Sequence, residues 1–259
     1  NWENGTTFTT PLGVMLSCDT AGATIIYKLN GSSTFKTYLG KPIVLTETTT
    51  LETRSFLNNI LSESVTYTYT KVAGVTVSGT AVSWNDKDNA EYYLYPTTMS
   101  DADIRAQWKK GGAVTGYTYT GTGGTISDVT VDGKAMKSQS FSFSTVPAGD
   151  YKLVIFKAEK YVPKIVEITV GSTALDLGQL KLWLYGDVNY DGQVLANDAT
   201  QIIRKGNGVG SIFDTGDALT KIDRVTAADL NEDGVIKTND AAQITRFANG
   251  LGSTFNNFK

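Results

Sequence analysis

Two segments near the C-terminus carry oxygen-bearing side chains at the spacing of a metal-binding loop. Residues 187–198 read DVNYDGQVLAND, and residues 229–240 read DLNEDGVIKTND. Both segments place Asp or Asn at positions 1, 3, 5 and 12 and glycine at position 6, where a twelve-residue calcium loop turns sharply. Because calcium is a hard cation that takes six to eight oxygen ligands, the repeated pattern predicts two calcium sites.

Each loop would supply four side-chain ligands and, at position 7, one backbone carbonyl. For loop one (residues 187–198) the predicted ligands are Asp187, Asn189, Asp191, Asp198 and the carbonyl of Gln193. For loop two (residues 229–240) they are Asp229, Asn231, Asp233, Asp240 and the carbonyl of Val235. Carboxylates around one centre repel each other in an empty loop, so we expect calcium to drive folding. The alternatives are an acidic turn without metal, and magnesium, whose tight octahedron suits this loop less well.

The two loops belong to a longer internal duplication. Aligned without gaps, residues 187–213 and 229–255 are identical at fifteen of twenty-seven positions, and the copies end in NGVGSIF and NGLGSTF. Each copy therefore predicts a loop, a helix of roughly ten residues and a glycine-rich stop. We expect the pair to fold with approximate two-fold symmetry and to present two nearly equivalent helix faces.

Apolar residues recur at matching places in both copies, and they predict a small shared core in preference to the alternative, a partner-binding surface. They lie at loop positions 2 and 8 and on the following helix, at Val188, Leu230, Val194, Ile236, Ile202 and Ile244.

The residues that precede loop one distinguish this pattern from an EF-hand. Leu182-Trp183-Leu184-Tyr185-Gly186 is typical of a strand and turn, not of an entering helix, and position 12 is Asp where the EF-hand uses Glu. A loop–helix duplicate without an entering helix resembles a dockerin, the calcium-binding module that binds cohesin modules of bacterial cellulosome scaffolds. The resemblance covers about residues 185–259. It implies two Ca²⁺ ions and a cohesin partner on a scaffoldin or a cell-surface anchor.

The dockerin resemblance also implies which residues contact the partner. Positions 10, 11, 17, 18 and 22 of each dockerin repeat carry the cohesin contacts, and here they are Ala196, Asn197, Ile203, Arg204, Gly208, Thr238, Asn239, Thr245, Arg246 and Gly250. The two arginines are expected either to pair with partner carboxylates or to lie on a solvated helix face. The best-known dockerins have Ser-Thr at positions 10 and 11, so the cohesin type stays open here. We expect either helix to be able to dock.

Composition excludes several classes of function. The 259-residue chain has no histidine and one cysteine, which excludes Ser-His-Asp and Cys-His catalysis and any internal disulfide. A net charge of −3 without a basic run makes nucleic acid an unexpected partner, and no apolar run approaches the roughly 18–20 residues that span a bilayer. We expect a secreted protein, associated with the cell surface through the cellulosome, and the C-terminal part of a larger chain. Cys18, in VMLSCD, predicts a buried and inert thiol on a strand.

Residues 1–70 predict an immunoglobulin-like β-sandwich. Alternating runs rich in β-branched and aromatic residues lie at 23–29, 42–47, 49–56 and 64–70, separated by turns at residues 20–22, Asn30-Gly31 and Asn58-Asn59. The order TPLGVMLSCDTAGATIIYKLNG, then KPIVLTETTTLETRSF, is similar to the small sandwich at the C-terminus of chitobiase-type hexosaminidases. That resemblance implies a spacer or accessory domain.

Residues 71–184 predict a second sandwich, because FSFSTVPAGDYKL resembles the transthyretin-like or carboxypeptidase-regulatory fold. Ser100 as a cap, Asp101 and Asp103 in the first turn, and Lys109 and Lys110 in the last predict a short inserted helix. A single glycine separates LKLWLY from loop one, so we expect this sandwich to pack on the dockerin, as in X-module–dockerin pairs. The predicted fold class is multidomain, with two β-sandwiches before a small α-helical dockerin.

The expected function is non-catalytic assembly, in which calcium orders two helices into a cohesin-binding face that the X-module buttresses. The alternative is carbohydrate binding by residues 1–183 through aromatic side chains, namely Trp84, Tyr92, Tyr93, Tyr95, Trp108, Tyr117 and Tyr119. Sheets also place alternating aromatics on half-buried faces. Two carboxylate pairs, Asp86 with Asp88 and Asp101 with Asp103, could hydrolyse glycosides, but their turn and helix-start contexts explain them, and no enzyme activity is expected.

Overall fold

The computed structural model describes residues 2–84, 87–109 and 113–252. Of the features expected above, Asp86, Lys110 and residues 253–255 of the second repeat lie outside the described residues. The chain forms two compact units, one of Asn1–Val75 with Thr145–Ala148 and the other of Thr76–Ser144 with Gly149–Lys259. The predicted boundary at residue 70 therefore falls inside the first unit, and the predicted boundary at residue 185 falls inside the second.

The first unit is built from short strands. They are β1 (Thr7–Phe8), β2 (Leu12–Val14), β3 (Thr24–Leu29), β4 (Lys36–Thr37), β5 (Ile43–Leu45), β6 (Thr49–Leu57), β7 (Ile60–Leu61) and β8 (Val65–Lys71). One sheet has the order β1-β8-β6-β3-β4, with β7 on β6, and β2 pairs with β5 in another. Their inward residues form a single core that includes Val14, Leu45, Leu51 and Tyr69. The four alternating runs predicted here are thus confirmed as strands.

The turns of this unit follow the residue types that permit a left-handed backbone. Asn30 and Gly31 follow β3 with φ of 48° and 68°, and Asn58 and Asn59 join β6 to β7 with φ of 49° and 61°. Two consecutive positive φ values are the requirement of the tight hairpin turn that Asn and Gly favour. These two predicted turns are confirmed, and so is the third, at residues 20–22, where the N–H of Ala23 donates to the carbonyl of Thr20 at 3.2 Å.

Cys18 departs from its prediction. Its side chain is exposed, and β2 ends at Val14, four residues earlier in the chain. The β2–β5 ladder pairs Val14 with Ile43, and the next residue on the partner side is Pro42, which has no backbone N–H to continue the ladder. The prediction of a buried thiol on a strand was wrong.

The second unit begins with two four-stranded sheets and one helix. Its strands are β9 (Gly74–Ser83), β10 (Glu91–Pro96), β11 (Tyr119–Thr120), β12 (Thr122–Val131), β13 (Lys134–Pro147), β14 (Gly149–Phe156), β15 (Lys164–Val170) and β16 (Leu175–Lys181). The start of β9, to Val75, and the end of β13, from Thr145, belong to the first unit. The sheet orders are β11-β10-β14-β15 and β12-β13-β9-β16. Sandwich-like sheets therefore make up most of the N-terminal region, as predicted.

Helix α1 (Asp101–Lys109) lies between β10 and β11, where the short helix was predicted. The Ser100 hydroxyl accepts the backbone N–H of Asp103 at 3.1 Å and donates to its carboxylate at 2.6 Å. This reciprocal pair caps the helix N-terminus, as the sequence indicated.

The C-terminal region is helical. It contains α2 (Ala196–Gly206), a single 3-10 turn at Ile212–Asp214, α3 (Ala218–Ala228) and α4 (Thr238–Ala248). Helices α2 and α4 follow loops one and two and have eleven residues each, and they pack on each other. The predicted repeat of loop, ten-residue helix and glycine stop is confirmed. No helix in the described part of the chain combines the length and the apolar character needed to cross a membrane.

Helix α3 was not predicted, and it changes the description of loop two. It ends at Ala228, and Asp229, the first residue of loop two, is its C-cap. Loop two therefore has an entering helix, and the expectation of a repeat without entering helices holds for loop one alone. The sequence did contain a helix-start signal for α3, because Asp is a preferred N-cap residue and Asp217 caps this helix by accepting the N–H of Thr220 at 2.7 Å.

The approach to loop one is extended backbone. Strand β16 ends at Lys181, and beyond it Leu182 donates its N–H to the Val82 carbonyl at 2.8 Å. The Trp183 carbonyl accepts from the N–H of Val162, also at 2.8 Å. The predicted strand LKLWLY is thus confirmed as far as Lys181. Beyond Lys181 the backbone is still hydrogen-bonded to the sandwich but is no longer part of a strand.

One apolar core joins the second sandwich to the helical region. Three buried residues of the sandwich belong to this core, namely Val82, Met136 and Val162. The core also contains four of the predicted apolar repeat positions, Val188, Ile202, Leu230 and Ile244. The other two, Val194 and Ile236, are partly buried and pack against it. The predicted core positions are confirmed. Since this core crosses from the sandwich into the repeats, the two parts are packed together as one unit.

Candidate calcium loops and helix faces

Asp at position 1 organises the backbone of both loops in the same way. In loop one, the Asp187 carboxylate accepts the N–H of Asp191 at 3.0 Å and of Gly192 at 2.9 Å. In loop two, the Asp229 carboxylate accepts the N–H of Asp233 at 3.2 Å and that of Gly234 at 2.9 Å. The glycines have φ of 85° and 79°, a left-handed conformation that suits glycine at this sharp turn.

Asp at position 12 closes each loop and caps the helix that follows. Asp198 accepts the N–H of Val188 at 3.0 Å and of Leu195 at 2.9 Å, and Asp240 makes the same two contacts in loop two at the same distances. Both carboxylates are fully buried. The two loops are therefore folded on the same hydrogen-bond scaffold, which explains why the ligand positions repeat in the sequence.

The donor set fits calcium through its mixed composition. The Asn189 side-chain oxygen is buried and has no hydrogen-bond partner in the described structure, while its amide donates to Asp191 at 2.7 Å. A hard cation, which prefers oxygen ligands, would supply the missing partner of this buried amide oxygen at position 3 of the loop. Among the described residues, no three Asp, Glu, Cys or His side chains by themselves form a metal-holding group. A cation bound here would need amide and carbonyl oxygens, such as the predicted carbonyl of Gln193, as well as carboxylates.

Burial raises the pKa of three of the predicted ligand carboxyls in the calcium-free protein. Desolvation raises the pKa of Asp187 to about 7, against the lowering effect of the backbone N–H groups of Gly192 and Asp191. Burial also raises the pKa of Asp198 and of Asp229. A buried charge with raised pKa is unfavourable without a partner, so a divalent cation at either loop would relieve that cost.

All ten predicted partner-contact residues are exposed. Ala196 and Thr238 begin α2 and α4, and Ile203 and Thr245 lie one turn from the end of each helix. Ile203 is an exposed aliphatic residue, with 41% of its surface accessible. These positions therefore form matching surfaces on two helices.

The arginines of these surfaces have a local role. The Arg204 guanidinium donates to the Gly210 carbonyl at 2.8 and 2.5 Å, and Arg246 donates to the Gly252 carbonyl at 2.5 Å. Each arginine thus ties the glycine tail back to the end of its own helix. This repeated contact gives both arginines a role within the domain. The sequence reasoning missed it, because it considered only a partner carboxylate or a solvated helix face.

Arg224 of α3 is a second residue that sequence reasoning missed. It is 5% exposed, and its guanidinium donates to the carbonyls of Val188 at 2.9 Å, Thr215 at 2.9 Å and Ile212. It also lies 5.6 Å from the ring centre of Trp183. Arg224 therefore connects α3, loop one, the 3-10 turn and the approach segment. Nothing in the local sequence distinguishes it from a surface arginine.

The aromatic residues of the second sandwich lie mainly in its interior. Tyr92 and Tyr95 are buried, Tyr93, Tyr119, Trp84 and Trp108 are half-buried, and Tyr117 is exposed at 40%. Trp108 stacks on Phe156 at 4.7 Å. These rings pack on one another, so they do not form a row of exposed rings in the described residues, such as a polysaccharide would stack on.

The carboxylate pair of α1 that was weighed for catalysis, Asp101 with Asp103, has structural partners. Asp101 pairs with Lys152 at 2.7 Å, and Asp103 caps α1 through Ser100. Asp86 lies outside the described residues, so that pair is not described.

Comparisons with known proteins agree with this picture at the C-terminus. Residues 185–249 match the family model of the Dockerin type I domain. A search of curated proteins found no match.

Three solved structures show weak likeness. The Bacillus anthracis TIE protein is 13% identical (TM-score 0.21; 67% of this chain and 33% of that chain covered). The N-terminal eight Ig domains of Down Syndrome Cell Adhesion Molecule isoform 1.30.30 are 7% identical (TM-score 0.20; 67% and 39% covered). A beta-glycosidase from Bacteroides vulgatus is 11% identical (TM-score 0.15; 63% and 25% covered). The chain thus spans less than half the length of these structures. TM-scores this low do not establish a shared fold.

The duplicated loops, the helices behind them and the family match agree on residues 185–249. Calcium binding is general among type I dockerins, and such a domain supports a role in cohesin binding and cellulosome-type assembly. The chain therefore ends in a dockerin type I domain preceded by β-sandwich-like sheets.

Proposed function

We propose that this chain is a non-catalytic assembly fragment whose dockerin binds two calcium ions, one in each loop, and docks a cohesin module of a scaffoldin or cell-surface anchor. The observation that carries the proposal is the repeated scaffold, in which two loops with the same hydrogen bonds lead into two helices with matching exposed positions. The second sandwich acts as an X-module that buttresses the helices through the shared core. The parent protein is secreted and reaches the cell surface through the cellulosome.

Several observations support a binding role over catalysis. The chain has no histidine. Of the carboxylates weighed for catalysis, Asp103 takes part in a helix cap and Asp101 in an ion pair. By contrast, Ile203 exposes an aliphatic side chain on α2, which suits a protein contact.

A native-gel shift against a panel of cohesins of different types, with calcium and with a chelator, tests the proposal. We expect a calcium-dependent shift with at least one cohesin type. A chain that binds calcium and shifts with no cohesin would refute the partner assignment.

The docking face is tested with Glu substitutions that leave the arginine–tail contacts intact. Ala196→Glu with Ile203→Glu changes the α2 face, and Thr238→Glu with Thr245→Glu changes the α4 face. Glutamate is a good helix former, so helix content should be kept. If either face can dock, each double variant retains binding and the quadruple variant loses it. Loss with one double variant alone would show a single docking orientation.

A further inference from the structure

The two calcium loops differ in their surroundings, although they share one scaffold. At position 4, loop one has Tyr190, which is buried at 9% exposure, and loop two has Glu232, which is exposed. The Tyr190 ring packs on Trp84 with centroids 5.0 Å apart and on Trp183 with centroids 4.6 Å apart. Loop one therefore rests against the sandwich side of the molecule.

The contact involves the backbone of loop one at its sharpest turn. A Cβ added to Gly192, at position 6, would lie 2.7 Å from the Trp84 ring, whereas one added to Gly234 would meet no described atom within 4 Å. The Lys134 ammonium donates to the Tyr190 carbonyl and lies 5.3 Å from the centre of the Trp84 ring. We name these three side chains, Trp84, Lys134 and Trp183, the loop-one seat.

The predicted ligands of loop one are less exposed than those of loop two. Asp187 is fully buried where Asp229 is half-buried, and Asp191 is half-buried where Asp233 is exposed. The side-chain ligands have the same chemical types in both loops, so the difference comes from the surroundings and not from the ligand set.

We propose that the loop-one seat preorganises the first calcium loop, so that loop one holds its calcium more tightly and releases it more slowly than loop two. The inference rests on the proposed two-calcium dockerin. A loop held in its bound shape loses less conformational freedom on binding. Burial also excludes water and strengthens the attraction between ion and carboxylates. The positive charge of Lys134 acts in the opposite direction, so the test leaves that residue unchanged.

Calcium release from the intact chain tests the proposal. The calcium-loaded protein is mixed with a fluorescent calcium chelator in a stopped-flow instrument, and Asp191→Ala and Asp233→Ala assign the phases to loops one and two. We expect the loop-one phase to be slower by about tenfold, the factor that corresponds to about 1.4 kcal/mol. Equal release rates in the two loops would overturn the inference and leave the dockerin assignment standing. A chain that binds no calcium would overturn both.

Matched alanine substitutions of Gly192 and Gly234 distinguish the effect of the loop-one seat from the effect of the loop's own backbone. Gly192→Ala and Gly234→Ala impose the same left-handed strain, since their φ values are 85° and 79°, but only the first places a Cβ against Trp84. We expect Gly192→Ala to accelerate release from its own loop by about tenfold more than Gly234→Ala does. Trp84→Ala should accelerate loop one alone. Equal effects of the two alanine variants, or of Trp84→Ala on both loops, would overturn the inference.

Discussion

The buried carboxyl of Asp187 makes the stability of the calcium-free protein depend on pH in an unusual direction. Its pKa rises from 3.8 to about 7 in the folded protein because burial disfavours the charged form. Between these two pH values the folded state holds a proton that the unfolded state has lost. Stability is therefore greatest at the acidic end of this window and falls as the pH rises to about 7.

The magnitude follows from the width of the window. One extra proton on the folded state changes the free energy of unfolding by about 1.4 kcal/mol per pH unit, or on the order of 4 kcal/mol over the whole window. Asp198 and Asp229 act in the same direction, since burial raises the pKa of each. No histidine titrates here, because the sequence contains none. Between pH 5 and 7, the buried carboxyls should therefore dominate.

The assay is urea unfolding of the calcium-free chain between pH 5 and 7, followed by tryptophan fluorescence, because Trp84 and Trp183 both contact Tyr190 of loop one. We expect the midpoint of this transition to fall as the pH rises. Saturating calcium should reverse the trend, because the ion binds the carboxylate form. Asp187→Asn is the matched control and should flatten the calcium-free dependence. A calcium-free midpoint that stays constant or rises with pH in the unsubstituted chain would refute the reasoning.

Three further outcomes are expected. Arg224→Met should lower the stability of the calcium-loaded chain by about 3–5 kcal/mol in chemical denaturation, because it leaves three carbonyls without their buried cation. Lys221→Met, at an exposed position on the same helix, should change the stability by less than about 0.5 kcal/mol. Ile244→Ala should lower the free energy of unfolding by about 2–5 kcal/mol, because it opens a cavity between the repeats. Ile222 is 57% exposed, so Ile222→Ala should lower it by less than about 0.5 kcal/mol in the same assay. Similar losses in the two variants would contradict the assigned core. Calcium removal at neutral pH should reduce helical circular dichroism, and an unchanged spectrum would show that the loops fold without metal.

Local sequence determined much of the dockerin. The loops were predictable because calcium ligation fixes residue types at fixed positions along a short segment, and Asp at positions 1 and 12 also makes the loop's own hydrogen bonds. The apolar repeat positions were predictable for a similar reason, since duplicated helices that pack on each other must bury matching faces. Cys18 was mispredicted because the end of a strand depends on its partner, here on Pro42.

The sequence by itself determined the two repeated loops, their helices, the shared core positions and the short strands of the first unit, because each depends on spacing within a few residues. Only the tertiary structure decided that the loops are unequal. Trp84 and Lys134 lie far from loop one along the chain, and their contacts with Gly192 and Tyr190 arise from the packing of the second sandwich. The same holds for Arg224, whose three carbonyl partners come from separate segments. Local patterns specify what a loop can bind, and packing specifies how firmly that loop is held.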